Sequence, residues 1–213
     1  MQPHEFWQVL LPPGPTGAEG DRYAAALPDG RRILCPIRVL PGGCDRAVAS
    51  LIVNQASFAV FDALAESVAQ ALRPDAPDVI VGIPTLGLPL AEAVARRLDH
   101  ARMLPLGTSR KFWYDPDLSE PMRSITSPDQ EKRLYLDPRL LPLLDGARVA
   151  LVDDVISTGG SMRAALRLLA KAGVTPVALG VAMRQGTPET DLPLRTAFAT
   201  PRLTRSPDGW RPA

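Results

Sequence analysis

The stretch 148–172 constrains the fold of this chain more than any other. Residues 148–155 read RVALVDDV, an apolar run of strand length. A strand covered on both faces needs apolar side chains at successive positions, as this run has. After the short turn ISTGG, Met162, Leu166 and Leu169 recur at helical spacing over 161–172, while Arg163, Arg167 and Lys171 line the opposite side. Gly173 then supplies a natural helix stop. A buried strand feeding directly into a helix is the repeating unit of a parallel sheet with right-handed crossovers.

The remaining periodicity agrees. Phe58, Phe61, Ala65, Val68 and Leu72 recur every three or four residues and predict a helix over 47–72. DVIVGIP at 78–84 reads as a second buried strand. Pro89 suits the first turn of a helix over 89–98, whose stripe is Leu90, Val94 and Leu98. Strands are predicted at 102–106, 174–183 and 196–200. A polar, proline-bearing stretch at 107–131 has short strands in or beside it, at 123–126 and 133–136. The fold class expected is α/β, an open and mostly parallel sheet flanked by helices. Residues 1–46 differ. PPGP at 12–15 reads as loop, and the runs 23–27 and 31–39 flank Pro28-Asp29-Gly30 as a hairpin. The predicted division is a small N-terminal subdomain, 1–46, and a core, 47–213.

Composition narrows the function. Apolar residues make up 46% and charged residues 22%, enough for a sizeable core. The net charge of +1 offers no basic excess for a nucleic-acid partner. No apolar run reaches the roughly 20 residues of a membrane span, so a cytoplasmic protein without a membrane partner is expected. Two cysteines and two histidines exclude a disulfide framework, a four-ligand zinc site and a histidine-rich metal centre. Cys35 and Cys44 are expected as reduced packing residues.

The chemistry concentrates at VALVDDVISTGGS, 149–161. The strand end places Asp153 and Asp154 at the carboxyl edge of the sheet, where open α/β domains bind ligands. Adjacent carboxylates there accept hydrogen bonds from a vicinal diol such as ribose. Ser157, Thr158, Gly159, Gly160 and Ser161 offer hydroxyls and backbone N–H groups at a helix N-terminus, a setting that favours phosphate. A diol site and a phosphate site on one strand–turn–helix suggest a sugar phosphate. Neither a Walker-type loop nor a dinucleotide fingerprint is present.

This segment resembles the phosphoribosyl pyrophosphate (PRPP) motif of type I phosphoribosyltransferases, nearest to the adenine and xanthine enzymes. The resemblance implies that fold, with the N-terminal subdomain as a hood. It gives Asp153 and Asp154 the ribose hydroxyls, and Ser157 through Ser161 the 5′-phosphate. DVIVGIPTLG at 78–87 resembles the pyrophosphate strand and loop, implying Thr85, Leu86 and Gly87 as contacts and a non-proline cis bond at Thr85–Leu86. Arg110 and Lys111 resemble the basic entrance of a mobile lid. The stretch 123–137 resembles the Ser-x-Thr strand and its returning strand. SLIVNQ at 50–55 resembles a helix start near the base pocket, implying Asn54 and Gln55 as base contacts. The implied activity is PRPP-dependent phosphoribosyl transfer to a purine-type nucleobase, as in purine salvage, with release of pyrophosphate. Mg2+ is implied as a cofactor held mainly through PRPP, with no metal ligands from the protein. The resemblance also implies a homodimer. Ser157 stands where hypoxanthine-guanine enzymes place an aspartate. The alternative is a non-catalytic PRPP-binding regulator on the same fold. Such regulators add a winged-helix domain, for which 1–46 is too short and too broken by proline.

Overall fold

The structure is a computed structural model that describes residues 1–124 and 127–213, and the side chains of all of these except 123–132. The N-terminal part contains β1 (Gly17–Glu19), β2 (Arg22–Ala26), β3 (Arg32–Val39) and β4 (Arg46–Ala49). Next come α1 (Phe58–Leu72), β5 (Val79–Gly82), α2 (Gly87–Arg97) and β6 (Leu104–Pro105). A two-stranded hairpin follows, β7 (Ser119–Ser124) and β8 (Ser127–Tyr135), then a short α3 (Leu141–Leu144). The chain continues through β9 (Val149–Ile156), α4 (Gly160–Lys171), β10 (Ala178–Gln185) and β11 (Leu194–Thr200). It closes with β12 (Arg202–Ser206) and β13 (Gly209–Pro212).

Five strands form a parallel sheet in the order β11-β10-β9-β5-β6. The order reverses between β9 and β5, so the carboxyl ends of these central strands border the crevice where such sheets take ligands. β9 shows why the sheet is buried on both sides. Ala150 and Val152 pack against α1 and α2, with Leu64, Val68, Leu90 and Val94. Val149 and Leu151 face a second core with Leu168 and Leu169 of α4. The pleat sends alternate side chains to opposite faces, so a strand covered twice must be apolar throughout.

A second, antiparallel sheet runs β1-β2-β3-β4-β12-β13, and its outer strands β1 and β13 meet. Ile37, Ala47 and Leu203 form its small core, with Trp210 and Tyr23 against them. Both ends of the chain build this sheet. The strand predictions stopped at residue 200, yet β12 pairs with β4.

The helix predicted from residue 47 begins later. Residues 46–49 are β4, Val53–Gln55 is a 3-10 turn, and α1 starts after Ser57, whose hydroxyl accepts the Val60 N–H at 3.3 Å. A serine cap fixes that boundary. The apolar AVASLIV run before it satisfies strand and helix spacing equally, so periodicity could not place the start. Asn54 and Gln55 therefore lie on a turn before the helix. The strand expected at 123–126 lies partly outside the described residues; Ser124 ends β7, and Ile125 and Thr126 of the Ser-x-Thr comparison are not described. Among the described residues, no helix is long and apolar enough to cross a membrane.

Candidate active site

β9 carries the acid pair to the sheet edge. Asp153 is buried, with 7% of its surface exposed, and Asp154 is half-buried beside it. The Asp154 N–H donates to Asp153 Oδ1 at 2.9 Å. Burial first, and the neighbouring Asp154 charge second, hold the Asp153 carboxyl well above the ordinary carboxylate range. Burial also raises Asp154. Two carboxyls kept close under partial desolvation resist ionising together, and hydrogen-bond donors or cations brought between them relieve that cost.

The turn after β9 spans 157–159 and opens α4. Gly159 is the cap residue, with φ 75°, in the left-handed region where a side chain would be strained. Its N-cap position makes no side-chain capping bond. The first N–H groups of α4 point out of the helix at Gly160 and Ser161, as every helix start requires. Arg163 lies across this turn, its Nη1 donating to the Thr158 carbonyl at 2.7 Å.

The β5–α2 turn meets the acid pair from the neighbouring strand. The Ile83 N–H bonds to the Val152 carbonyl at 2.9 Å, carrying the ladder up to the turn. A Cβ built on Gly87 would lie 2.7 Å from Asp153 Oδ1 and 2.8 Å from Asp153 Cα, so only glycine fits there. The non-proline cis bond is present but falls at Pro84–Thr85, one bond before the expected Thr85–Leu86. The ladder persists through Ile83 and α2 begins at Gly87, which squeezes the turn into 84–86; motif matching leaves a one-residue ambiguity in so short a turn. Thr85 is exposed, Leu86 is half-buried against the α1–α2 core, and Gly87 is buried.

Arg110 and Lys111 are exposed in the loop after β6. Asn54 and Gln55 are exposed on the 3-10 turn, with the Gln55 carbonyl accepting from Gln8 Nε2 at 2.9 Å. The structure thus joins Asp153, Asp154 and Gly87 directly and places 157–161 in continuity with them. It shows no direct contact of Asn54, Gln55, Arg110 or Lys111 with that group. Sequence reading missed Arg163 as a clamp on the phosphate-type turn; helical spacing placed it only on the side opposite the apolar stripe. It also missed Gln185, whose Nε2 donates to the Ala49 carbonyl at 2.6 Å and ties the two sheets together. A lone glutamine ending an apolar strand was the available signal.

Among the described residues, no group of three or more His, Cys, Asp or Glu side chains is placed to hold a metal. The carboxylate oxygens of Asp153 and Asp154 at the sheet edge are hard donors of the type Mg2+ takes.

A phosphoribosyl transferase domain model matches residues 48–193. The chain belongs to the phosphoribosyltransferase family. This is a family of transferases, and the match spans the whole acid-pair and phosphate-type segment. A xanthine phosphoribosyltransferase of Chloroflexus aurantiacus is 32% identical over 158 residues, covering 70% of this phosphoribosyltransferase and 71% of that protein. A hypoxanthine/guanine phosphoribosyltransferase of Methanocella paludicola is 34% identical over 109 residues, and the aligned part is about half of each, 51% and 52%. The crystal structure of adenine phosphoribosyltransferase from Thermoanaerobacter pseudethanolicus superposes with a TM-score of 0.57 at 20% identity, covering 77% of this chain and 95% of that one. That likeness establishes the shared fold.

Proposed function

We propose that this phosphoribosyltransferase moves the phosphoribosyl group of PRPP to a nitrogen of a purine-type nucleobase. The observation that carries the reading is the junction of three parts: buried Asp153 with half-buried Asp154 beside it, the turn opening α4, and Gly87 packed on Asp153. They offer acceptors for a diol, N–H donors for a terminal phosphate, and a backbone approach beside the diol site. The names of the relatives include xanthine, hypoxanthine/guanine and adenine enzymes, which supports a purine-type acceptor.

In this reading Asp153 and Asp154 accept hydrogen bonds from the ribose hydroxyls. The 157–161 turn holds the 5′-phosphate through N–H groups and the Ser157, Thr158 and Ser161 hydroxyls. Thr85, Leu86 and Gly87 approach the pyrophosphate through backbone, and Arg110 and Lys111 add positive charge from the loop after β6. Asn54 and Gln55 read the base through their amides. The bond from ribose C1 to the pyrophosphate oxygen breaks, the nitrogen lone pair forms the new C1–N bond, and the nitrogen's proton goes to solvent. The nearby carboxylates favour positive charge developing on the sugar. Bound Mg2+ would neutralise charge on the departing pyrophosphate. No covalent nucleophile is needed; alignment of base and sugar supplies much of the rate.

The test mixes the protein, PRPP and Mg2+ with a panel of bases and follows pyrophosphate release. Release that depends on a purine base supports the reading. Tight PRPP binding without base-dependent release indicates a regulator instead. In a folded Asp153→Asn/Asp154→Asn variant, PRPP affinity is expected to fall at least about tenfold, the scale of lost charge-assisted hydrogen bonds. Unchanged affinity removes the ribose site.

A further inference from the structure

β6 lies beside β5 in parallel register, and the Leu106 N–H donates to the Gly82 carbonyl at 3.0 Å. The loop that leaves β6 therefore starts at the same sheet edge as the β5–α2 turn. It carries Arg110 and Lys111, and it is tied down on both sides of them. On one side, the Gly107 N–H donates to the Tyr135 carbonyl and the Tyr135 N–H to the Gly107 carbonyl, both at 2.9 Å. On the other, the Tyr114 N–H donates to the Lys111 carbonyl at 3.0 Å, closing a turn over 111–114. Trp113 and Tyr114 then return to the same stretch of chain. The Arg139 guanidinium lies over the Trp113 ring, 4.9 Å from its centroid, and the Tyr114 and Tyr135 rings are 6.3 Å apart. At these distances a cation and a ring, or two rings, attract.

Arg139 is itself fixed. Its backbone N–H and its Nε both donate to Asp137 Oδ1 at 3.0 Å, and its Nε and Nη2 donate to Oδ2. A guanidinium locked in plane by one carboxylate leaves its face free to stack on a ring. The Arg139 hydrogen bonds hold the Asp137 carboxyl down at about 2, so the pair stays charged through the neutral range. The contact with Trp113 buries little, since that residue remains 43% exposed and the Arg139 side chain 69%. It adds little to the stability of the whole chain, and its consequence is local. Phe112, edge-on to Trp113 with ring centroids 4.8 Å apart, extends the hold to the residue next to Lys111. Among the described residues, neither Arg110 nor Lys111 forms an ion pair, whereas Arg139, Arg167 and Lys171 do.

We propose that Trp113 and Arg139 are positioning residues for the transfer: their contact, set by Asp137, holds the 108–112 segment so that Arg110 and Lys111 meet the pyrophosphate end of PRPP. The inference rests on the PRPP reading, which gives Arg110 and Lys111 that contact. Trp113 and Arg139 act through the loop and need not touch substrate. A loop already held in its bound shape loses less conformational freedom on binding, and the gain appears only for ligands that the loop's cations reach. The contact therefore favours the pyrophosphate end. It leaves unchanged the sugar and the 5′-phosphate, which the same reading gives to the acid pair and the 157–161 turn.

The test compares Kd values for PRPP, pyrophosphate and ribose 5-phosphate, by calorimetry in excess Mg2+, in the unsubstituted protein and in Trp113→Ala, Arg139→Gln and Trp113→Phe. Ribose 5-phosphate shares the sugar and 5′-phosphate of PRPP but lacks the pyrophosphate. In Trp113→Ala and in Arg139→Gln the Kd for PRPP and for pyrophosphate should rise about two- to fivefold, the scale of an exposed cation–ring contact, while that for ribose 5-phosphate holds. The double variant should lose no more than either single one, because both remove the same contact. Trp113→Phe keeps a ring face for the guanidinium and should recover most of the affinity. A ribose 5-phosphate Kd that rises with the PRPP Kd marks a general structural role and overturns the proposal. So does an unchanged PRPP Kd, or a Trp113→Phe variant as weak as Trp113→Ala. Arg139→Gln alters a mostly exposed side chain, so it keeps the test decisive where Trp113→Ala fails to fold. A preference for PRPP over ribose 5-phosphate that both variants retain refutes the positioning role alone. An unsubstituted protein with no such preference refutes the pyrophosphate reading beneath it, and the proposal with it.

Discussion

Asp153 is costly to the unliganded protein. Its folded-state pKa is raised by burial and by Asp154, above the ordinary 3.8. Between the unfolded and folded values, the folded state holds a proton that the unfolded state has released. Stability therefore falls as pH rises through that window. Asp153→Asn removes the burden and is expected to raise the apo melting temperature, by more at pH 7.5 than at pH 4, while PRPP binding weakens. A change of 1 kcal/mol corresponds to about 2–4 °C in a chain of this size. Thermal melts at the two pH values check it, and an equal or smaller gain at pH 7.5 contradicts it. Gly87 shows the same closeness of packing from the other side. In Gly87→Ala the new methyl meets the Asp153 backbone as well as its carboxylate, so the turn must shift. The expected cost is about 1–3 kcal/mol, typical of overpacking, together with a weakened PRPP Kd. Denaturant unfolding and a PRPP titration measure both.

The elements that hold the site were legible to different degrees, for physical reasons. The parallel strands β5, β9 and β10 and the helix α4 could be read because double burial and helical spacing write themselves into one local stretch. The acid pair and glycine-rich turn could be read because they sit on one strand–turn–helix. β12 and β13 could not, since their partner β4 lies far away in sequence and RLTRS has little apolar content. The polar face of α4 was also misleading. Helical spacing places Arg167 and Lys171 opposite the apolar stripe, yet they grip buried Glu120 on β7, at 3.2 and 2.9 Å, and Lys171 Nζ donates to the Ser119 carbonyl at 2.8 Å. Leu118, Met122, Leu134 and Leu136 then carry the hairpin base into the core. A charge partner 47 residues away leaves no periodic trace. Hydrogen bonding from Lys171, more than that from Arg167, lowers the Glu120 pKa below 4.5. A lowered folded value means that this stability is present above the unfolded pKa and lost as pH falls through the folded one. Glu120→Gln should cost about 0.5–1.5 kcal/mol near neutrality, since both cations are half-exposed, and should flatten the acid side of the stability curve. Urea unfolding from pH 3 to 7 checks the shape; a parallel offset at all pH values contradicts it.

At the scale of the whole molecule, two sheets of different construction must hold one site together. They share one apolar core, which takes Ile33 and Ala49 from the antiparallel sheet and Ala182 and Phe198 from the parallel one, and a few polar ties reinforce it. Gln185, at the end of β10, donates to the carbonyl of Ala49, at the end of β4, and both residues are buried. Ser57 adds a second tie, its N–H bonding to the Trp7 carbonyl at 3.0 Å and its hydroxyl to the Gln8 carbonyl at 2.7 Å. Gln185 is thus a buried polar tie between the antiparallel sheet and the strand beside the acid-bearing one. Gln185→Met keeps the bulk and removes the donor, leaving the Ala49 carbonyl buried and unpaired. The expected loss is about 1–3 kcal/mol. Its distribution is the sharper test, because a weakened tie should release one sheet before the other. Amide exchange should accelerate at 46–49 and 202–204, where β4 and β12 pair, and stay slow in β9 and β10. If exchange rises equally in both sheets, Gln185 contributes only to global stability. If only the antiparallel sheet loosens, then base-dependent KM should rise more than PRPP KM, because the proposed base contacts Asn54 and Gln55 follow β4 whereas the proposed ribose and phosphate contacts belong to β9 and α4.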